Sequence, residues 1–243
     1  MAKSSIEWTE ETWNPATGCS KVSPGCQNCY AEKMSARLMK MGQKKYANNF
    51  NYTEHEEDLN KPFLIKKPTM IFVNSMSDLF HEFATDSFIT SVFETMMQAN
   101  HHTYQVLTKR PDRMKEFVDK YISVNGGLEE IPKHIWLGTS VESQRYTSRI
   151  EILKQVKCKV KFVSFEPLLE NVNSDLTGID WAIVGGESGF NARPIKEEWI
   201  KNIRASCRVY GTSFFFKQWG GRYPKEKGNL LDGIKYQEWP KID

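Results

Sequence analysis

The feature that most constrains the fold of this chain is a regular alternation of short apolar segments with longer amphipathic ones. Seven apolar segments predict strands, at 6–13, 69–75, 104–108, 135–140, 160–165, 181–184 and 213–217. Helical spacing of apolar residues occupies most of the gaps, at 30–41, 87–99, 111–122, 143–155 and 197–210. Repeated strand–helix units predict an α/β fold with a parallel sheet and right-handed crossovers. Several strands are almost continuously apolar, which indicates that both of their faces are covered.

Two arrangements satisfy this alternation: an open doubly wound sheet, or a full or partial barrel. The sequence has neither a G-x-G-x-x-G segment opening its first helix nor a G-x-x-x-x-G-K-[ST] loop. The two common nucleotide-binding reasons for an open sheet are therefore missing. A length of 243 residues suits one barrel, with little room for a separate substrate domain.

Composition and charge exclude several classes of protein. Forty per cent apolar residues can support a core, so global disorder is not expected. A net charge of +3 excludes a strongly basic nucleic-acid coat but allows a local basic groove. There is no apolar run long enough to span a membrane and no signal-peptide pattern at the start. We therefore expect a cytoplasmic protein with reduced cysteines and no membrane partner.

Three of the five cysteines, Cys19, Cys26 and Cys29, fall in one short loop with the spacing C-x6-C-x2-C. Clustered thiols in a reducing compartment point first to metal. Three thiolates and an open position fit a [4Fe–4S] cluster whose unique iron takes a non-protein ligand. Zinc with a distant fourth ligand, such as His55 or His81, and redox chemistry remain alternatives at this point. The two other cysteines are predicted to be packing residues.

Polar side chains follow the predicted strands, at the strand ends that face the active site in parallel α/β folds. These ends read Asn74-Ser75-Met76-Ser77-Asp78, Thr108-Lys109-Arg110, Thr139-Ser140-Val141-Glu142, Ser164-Phe165-Glu166-Pro167, Gly185-Gly186-Glu187-Ser188-Gly189 and Lys217-Gln218-Trp219. Individual members could be simple helix caps. Taken together, six apolar strands end in ligand-capable side chains, and the first strand leads into the cysteine loop. In a barrel these ends would converge on one mouth.

The cysteine loop and the strand ends resemble the radical S-adenosyl-L-methionine (AdoMet) superfamily, in which three cysteines follow the first barrel strand. They resemble more closely a three-Cys-motif family of phages and bacteria whose function is unassigned. The segments that carry this resemblance are Thr12-Trp13-Asn14-Pro15, Gly18-Cys19, Ser23-Pro24-Gly25-Cys26, Asn28-Cys29-Tyr30-Ala31-Glu32, Phe72-Val73-Asn74-Ser75-Met76-Ser77-Asp78-Leu79-Phe80, Leu107-Thr108-Lys109-Arg110-Pro111, Trp136-Leu137-Gly138-Thr139-Ser140-Val141-Glu142, Ser164-Phe165-Glu166-Pro167-Leu168 and Val184-Gly185-Gly186-Glu187-Ser188-Gly189. The resemblance covers roughly residues 8–220.

The resemblance implies a partial (β/α) barrel of six to seven parallel strands, forming a single radical-AdoMet-type domain over 1–243. Within it, 42–68 would be an irregular excursion and 219–243 a hairpin-like extension. Cys19, Cys26 and Cys29 would bind the [4Fe–4S] cluster, and AdoMet would chelate the unique iron. A flavodoxin or ferredoxin would supply one electron, which cleaves AdoMet to a 5′-deoxyadenosyl radical that takes hydrogen from a substrate.

The resemblance also nominates cofactor contacts, although three features depart from the superfamily pattern. The first cysteine gap is six residues instead of three, Asn28 replaces an aromatic residue, and the Gly-Gly-Glu segment follows the sixth predicted strand instead of the second. The segment after the second predicted strand is therefore expected to bind the AdoMet amino group, through Ser75 and Asp78. The full set of expected cofactor contacts is Asn74, Ser75, Asp78, Lys109, Ser140, Glu142, Glu166, Gly186 and Glu187.

The substrate is less constrained. The basic residues Lys217, Arg222, Lys225 and Lys227 are interleaved with Trp219, Tyr223, Tyr236 and Trp239. Such a pattern can bind phosphates and stack bases, so a nucleic acid or nucleotide is the favoured substrate. A hairpin packing over the barrel end is the structural alternative, and a peptide or small metabolite is the chemical one. The competing functions are a zinc-binding nucleic-acid-binding module and a non-catalytic iron–sulfur redox protein.

Overall fold

The computed structural model describes residues 2–224 and 226–242; Met1, Lys225 and Asp243 lie outside the described residues. The strands are β1 (Ala2–Lys3), β2 (Glu11–Trp13), β3 (Ala16–Thr17), β4 (Thr53–Glu54), β5 (Met70–Val73), β6 (Thr103–Thr108), β7 (Ile131–Ser140), β8 (Cys158–Phe165), β9 (Trp181–Gly185), β10 (Ser213–Gln218), β11 (Leu230–Leu231) and β12 (Ile234–Lys235). The helices are α1 (Tyr30–Lys40), α2 (Asp86–Gln98), α3 (Pro111–Val124), α4 (Ser148–Lys154) and α5 (Glu197–Tyr210). Within the described residues, no helix has the length and apolar character needed to cross a bilayer.

The main sheet has eight strands in the order β1-β2-β5-β6-β7-β8-β9-β10. All neighbours from β2 to β10 pair in parallel, and β1 alone pairs antiparallel, with β2. The seven parallel strands curl into a half-barrel, which confirms the predicted partial (β/α) barrel of six to seven strands. Because β2 and β5 to β10 run parallel, their carboxyl ends all lie at the same edge of the half-barrel.

Several predicted boundaries are wrong for local reasons. The first parallel strand is Glu11–Trp13 instead of 6–13, because the Thr9 hydroxyl donates to the main-chain oxygens of Glu11 and Met70 where the strand would continue. The predicted helix 143–155 becomes a 3₁₀ turn followed by α4. Helix α2 is capped by Thr85, whose hydroxyl accepts from the main-chain N–H of Phe88, and not by Asp86.

The segment 42–68 is more ordered than the predicted irregular excursion. It contains three 3₁₀ helices and the strand β4, which pairs antiparallel with β3. The main-chain N–H of His55 donates to the Pro15 oxygen at 2.8 Å. The Trp13 indole N–H donates to the Asp58 oxygen at 2.9 Å. This segment therefore braces the chain just before Cys19.

The core has two parts, one on each face of the sheet. Apart from Ala31 and Pro111, the buried apolar helix residues belong to one cluster, which they form with alternate strand residues such as Ala182 and Val184. The opposite, concave face carries a second, aromatic cluster, which we call the interior plug. Its members are Trp8, Phe72, Trp136, Val160, Phe162, Trp181, Ile183 and Phe215. Trp181, the first residue of β9, contacts most of the aromatic rings in it. The plug leaves the carboxyl edge as the functional end.

The carboxyl-terminal extension contains the predicted hairpin and also packs on the barrel. Strands β11 and β12 pair antiparallel around Asp232 and Gly233, which have φ of 52° and 74° and so suit a tight hairpin turn. Trp239 stacks on Trp181 with ring centroids 4.9 Å apart. The extension thus covers part of the interior plug.

Replacing Gly138 in β7 by alanine should destabilise the sheet. A Cβ atom there would lie 2.6 Å from both the Phe162 ring and the Phe162 main-chain oxygen. Overpacking of this kind costs roughly 1–3 kcal/mol. The free energy of unfolding, measured by urea denaturation, should fall by that amount for Gly138→Ala. The control Gly126→Ala, whose Cβ meets nothing within 4 Å, should change it by less than ~0.5 kcal/mol. Equal effects would contradict this packing.

Candidate functional site

The three clustered cysteines lie in the loop between β3 and α1, at the carboxyl edge of the half-barrel. All three thiols are free and partly exposed. Cys19 follows Gly18, whose φ is 82° and whose missing Cβ would lie 2.2 Å from the Asn51 main-chain oxygen. Cys26 ends a 3₁₀ turn, and Cys29 is the residue that precedes α1. The backbone therefore holds the loop against the 42–68 segment at one end and begins a helix at the other.

Three carboxylates at the strand ends contact this cysteine loop directly or through an arginine. They are Asp78 after β5, Glu142 after β7 and Glu187 after β9. All three side chains are buried. Burying a carboxylate is costly unless it is paired and hydrogen-bonded, so the partners of each group determine what it does.

Asp78 holds Arg110 beside Cys19. Its Oδ1 accepts from the Thr108 hydroxyl at 2.7 Å, and its Oδ2 accepts from Arg110 Nη1 at 3.0 Å. The same Nη1 donates to Cys19 Sγ at 3.6 Å, and Nη2 donates to the Ser20 hydroxyl at 2.8 Å. Burial, reinforced by the negative charge of Asp78, raises the pKa of the Cys19 thiol to about 11, and Arg110 opposes that rise. Arg110 is thus the group that favours a thiolate at this position.

Glu142 supports the middle of the loop. Its side chain is fully buried, at 0% exposure, and Oε2 accepts from Arg149 Nη1 at 3.0 Å. Oε1 accepts from the main-chain N–H of Gly25 at 3.4 Å. A Cβ atom on Gly25 would lie 3.1 Å from the carboxylate carbon of Glu142. The glycine between Cys19 and Cys26 therefore allows the loop to rest on this carboxylate.

Glu187 and Arg193 clamp the far side of the loop. Glu187 Oε2 accepts from Asn28 Nδ2 at 3.0 Å and from Arg193 Nε at 2.8 Å. Arg193 Nη2 pairs with Glu187 Oε1 and donates to the Pro24 oxygen at 3.0 Å, while Nη1 donates to Gln27 Oε1 at 3.3 Å. Burial alone would raise the pKa of Glu187, but the bonds from Arg193 and Asn28 hold that pKa below its ordinary value. The carboxylate is therefore charged at neutral pH.

The structure brings most of the sequence-predicted residues to the same edge, but several are already engaged with protein groups. Asp78, Glu142 and Glu187 bind the residues described above. The Ser75 hydroxyl donates to Asn14 Oδ1 at 3.1 Å. Glu166 accepts from Lys217 Nζ at 2.6 Å. Gly186 packs so tightly that a Cβ atom would lie 2.2 Å from the Trp219 oxygen. That packing gives Gly186 a structural reason to be glycine.

Three of the predicted residues keep polar groups available. Asn74 is only 2% exposed and has φ of 61°, and its Nδ2 has no hydrogen-bond partner. The ammonium of Lys109 has no acidic partner among the residues the structure describes. Ser140 is buried at the end of β7, where its main-chain oxygen accepts from Arg149.

Sequence reasoning missed Arg193 and the structural role of Asn28. Arg193 lies in an irregular stretch between Gly189 and α5, and no motif or strand end marks it. Asn28 is 159 residues from Glu187 in sequence, so spacing along the chain does not reveal their contact. The signal that was present is Asn28 itself, a polar residue directly before the third cysteine.

The histidines of the zinc alternative have other partners. His55 Nε2 lies 2.8 Å from the Thr17 hydroxyl. His81 Nε2 accepts from the main-chain N–H of Ser20 at 3.1 Å, and its ring stacks on Tyr52. Among residues 2–224 and 226–242, no three His, Cys, Asp or Glu side chains are arranged to hold one metal ion.

A family profile described as "Protein of unknown function (DUF5131)" matches residues 3–240. No curated protein sequence matches the chain. The phage association of the family stays a prediction.

Solved structures of spore photoproduct lyase share the fold. A cysteine-to-serine variant matches with a TM-score of 0.50 and 13% identity, over 84% of this chain and 62% of the lyase chain. The lyase complexed with dinucleoside spore photoproduct matches with a TM-score of 0.47 and 12% identity, over 86% and 64%. A double variant with bound AdoMet and the dinucleoside matches at 0.46 and 12%, over 86% and 63%. This chain thus spans less than two thirds of the lyase, and the likeness concerns the fold alone.

Replacing Arg193 by glutamine should loosen the cysteine loop. The variant removes the cation that joins Glu187 to Pro24 and Gln27, and bonds to a charged group contribute roughly 1.5–3 kcal/mol each. Amide hydrogen exchange of residues 24–29 should accelerate at least ~10-fold, since ~1.4 kcal/mol of opening free energy is a factor of ten. The control Arg208→Gln, at an exposed position of α5, should leave this exchange unchanged. Unaltered exchange in a folded Arg193→Gln protein would rule out the clamp.

Proposed function

The chain belongs to the DUF5131 family, and we propose that it is a radical AdoMet enzyme whose Cys19, Cys26 and Cys29 hold a [4Fe–4S] cluster. The observation that carries this proposal is the position of the three thiols. They lie in one loop at the carboxyl edge of a seven-stranded half-barrel, supported by three buried strand-end carboxylates. Function in parallel barrels is located at that edge. We treat residues 1–243 as one domain in a cytoplasmic protein.

The donor set fits an iron–sulfur cluster better than zinc. Tetrahedral zinc with ~2.3 Å bonds would require its thiolates to be about 3.8 Å apart and would need a fourth ligand. Among the described residues, no three His, Cys, Asp or Glu side chains are gathered as closely as one ion requires. A four-iron cluster is larger, and its thiolates bind different iron atoms, so it accepts a wider loop and leaves one iron open. Three thiols without a nearby fourth ligand match that requirement.

The protein's own groups would prepare the loop for the cluster. Ligation requires thiolates, and burial disfavours that form of Cys19. The Arg110 N–H that points at Cys19 Sγ offsets this effect. Glu142 and the Glu187–Arg193 pair fix the segment between Cys19 and Cys29. We therefore assign Asp78, Glu142 and Glu187 positioning roles, which revises their expected role as direct AdoMet contacts.

The groups left available would bind AdoMet. Asn74 Nδ2 is a buried donor without a partner, a state that costs roughly 1–3 kcal/mol and that a ligand oxygen would relieve. The Lys109 ammonium suits the AdoMet carboxylate. The Ser75 hydroxyl, which already donates to Asn14, would accept from the amino group. Ser140 would supply a hydroxyl to the ribose, and Glu166 and Gly186 would form the rim of the same mouth. When bound, the cluster would pass one electron from a flavodoxin or ferredoxin to AdoMet, which generates the radical that takes hydrogen from the substrate.

Anaerobic reconstitution tests the proposal. The iron-loaded protein should be brown, and with dithionite and AdoMet it should release 5′-deoxyadenosine. Replacing Cys19, Cys26 or Cys29 by alanine should abolish the colour and the product. The control Cys207→Ala, at a buried position away from the loop, should keep both. Colour that persists in the loop variants would show that the ligands are misassigned. An intact cluster that releases no 5′-deoxyadenosine, with or without nucleotides added, would contradict the enzyme.

The Asn74 side chain can be tested without disturbing its backbone. Asn74→Gly keeps a residue that tolerates φ of 61° and deletes the unpartnered Nδ2, together with the Oδ1 that accepts from the Ala16 main-chain N–H at 3.4 Å. AdoMet affinity, measured by calorimetry on the reconstituted protein, should fall about 5- to 10-fold, the loss of one hydrogen bond of ~1–1.4 kcal/mol. Asn49→Gly, at another left-handed asparagine with φ of 53°, is the matched control and should bind normally. Equal affinity of both variants would remove Asn74 from the site.

A further inference from the structure

We propose that Phe190, Arg222 and Tyr223 form a stacking platform for the bases of a single-stranded nucleic acid. This inference rests on the proposed function and names the substrate class of that mouth. The Arg222 guanidinium carbon lies 4.7 Å from the Phe190 ring centroid and 5.3 Å from the Tyr223 centroid. The two rings are nevertheless 73% and 56% exposed. One cation thus associates with two aromatic rings that remain open to solvent.

The platform is fixed to the backbone at the mouth of the half-barrel. The main-chain N–H of Gly189 donates to the Gly221 oxygen at 3.0 Å, and that of Gly221 donates to the Glu187 oxygen at 2.8 Å. Ser188 and Gly221 also form a parallel bridge. Phe190 and Arg222 each follow one residue of this pairing. Because Glu187 also clamps the cysteine loop, the platform and the loop share one rigid support.

The charge around the platform suits a phosphate backbone. Lys33 Nζ lies 3.7 Å from the position that a Cβ on Gly189 would occupy, and Lys227 Nζ lies 3.7 Å from the equivalent position on Gly221. Neither lysine has an acidic partner among the described residues. Lys33 belongs to α1, the helix that begins directly after Cys29. The neighbouring acid Glu226 is outnumbered by Lys33, Lys227 and Arg222.

The platform differs from the other aromatic residues of the extension. Trp219 Nε1 donates to the Leu230 oxygen at 2.9 Å, and Trp239 stacks on Trp181. Tyr236 lies under the Arg204 guanidinium, 3.8 Å from its ring centroid, and is half-buried. These residues pack on the protein, as the hairpin alternative predicts. Tyr223 and Phe190 do not, so packing does not account for them.

A single strand fits this surface better than a duplex or a peptide. Exposed aromatic rings and an arginine plane bind base faces, which a duplex keeps stacked inside. Lys33 and Lys227, which lie beside Gly189 and Gly221, would bind the phosphates between successive bases. A peptide would supply neither a regular series of flat faces nor the matching negative charge.

The platform can be tested by fluorescence anisotropy of the 243-residue protein with labelled oligothymidine strands, in DNA and RNA form. Strands of about 12 nucleotides lie within the range of single-strand sites. Each base stack contributes roughly 1–3 kcal/mol, so Phe190→Ala and Tyr223→Ala should each weaken binding about 5- to 150-fold. Arg222→Gln should also weaken it, and Phe190→Trp should preserve it. The matched control is Arg204→Gln, which removes an equal charge from the cation–π pair at Tyr236.

Several outcomes would overturn the platform. They are the absence of binding to either strand, unchanged affinity in Phe190→Ala, equal losses in Arg204→Gln and Arg222→Gln, or tighter binding to a duplex of the same sequence. The DNA and RNA arms identify which nucleic acid supplies the strand. Binding needs no cluster, so the measurement is repeated on the Cys26→Ala protein. If the Cys26→Ala protein binds the strand but the loaded wild type releases no 5′-deoxyadenosine, the enzyme is refuted and the platform stands. If the loaded wild type releases 5′-deoxyadenosine but the strand does not bind, only the platform is refuted.

Discussion

The pairing of buried strand-end carboxylates with arginines is the interaction on which the rest of the site depends. Glu142 is fully buried, and Asp78 and Glu187 are nearly so. Carboxylates in such places remain charged only when cations and N–H groups surround them. Arg149, Arg110 and Arg193 supply the cations, and the cysteine loop supplies further donors. The half-barrel and the loop are therefore mutually dependent: the strand ends hold the loop in place, and the loop completes the solvation of the strand ends.

The sheet was well predicted because the pattern that marks a strand lies within a few consecutive residues. Strands covered on both faces must be apolar along their length, and that pattern is legible without a structure. The apolar pattern predicted too long a strand at 6–13. Trp8 is apolar because it belongs to the interior plug and not because it continues that strand. The pattern also misled at 143–155, where Ser143 and Thr147 break the first turn of the expected helix. The first error reflects a contact distant in sequence, whereas the second arises within the segment itself.

The position of the three thiols at the carboxyl edge was predictable from the sequence, whereas the groups that support them were less so. Cysteine spacing nominates Cys19, Cys26 and Cys29 as ligands because two thiols separated by a tight turn can face one metal site, and that assignment stays a prediction. Carboxylates at strand ends look the same in sequence whether they bind a cofactor or an arginine. Only the three-dimensional placement of Arg193 near Glu187 separates the two roles. Among the described residues, Asn74 Nδ2 has no hydrogen-bond partner and the Lys109 ammonium has no acidic partner.

The interior plug joins the two ends of the chain, and this has a consequence for how the protein is made. Trp8 contacts Trp181, and Trp181 is stacked on Trp239. During synthesis, the strands from β2 to β9 leave the ribosome before the residue that covers their aromatic interior. Contacts between such distant segments form slowly, because a long loop must close first. The nascent half-barrel therefore exposes tryptophan surface until Trp239 has emerged.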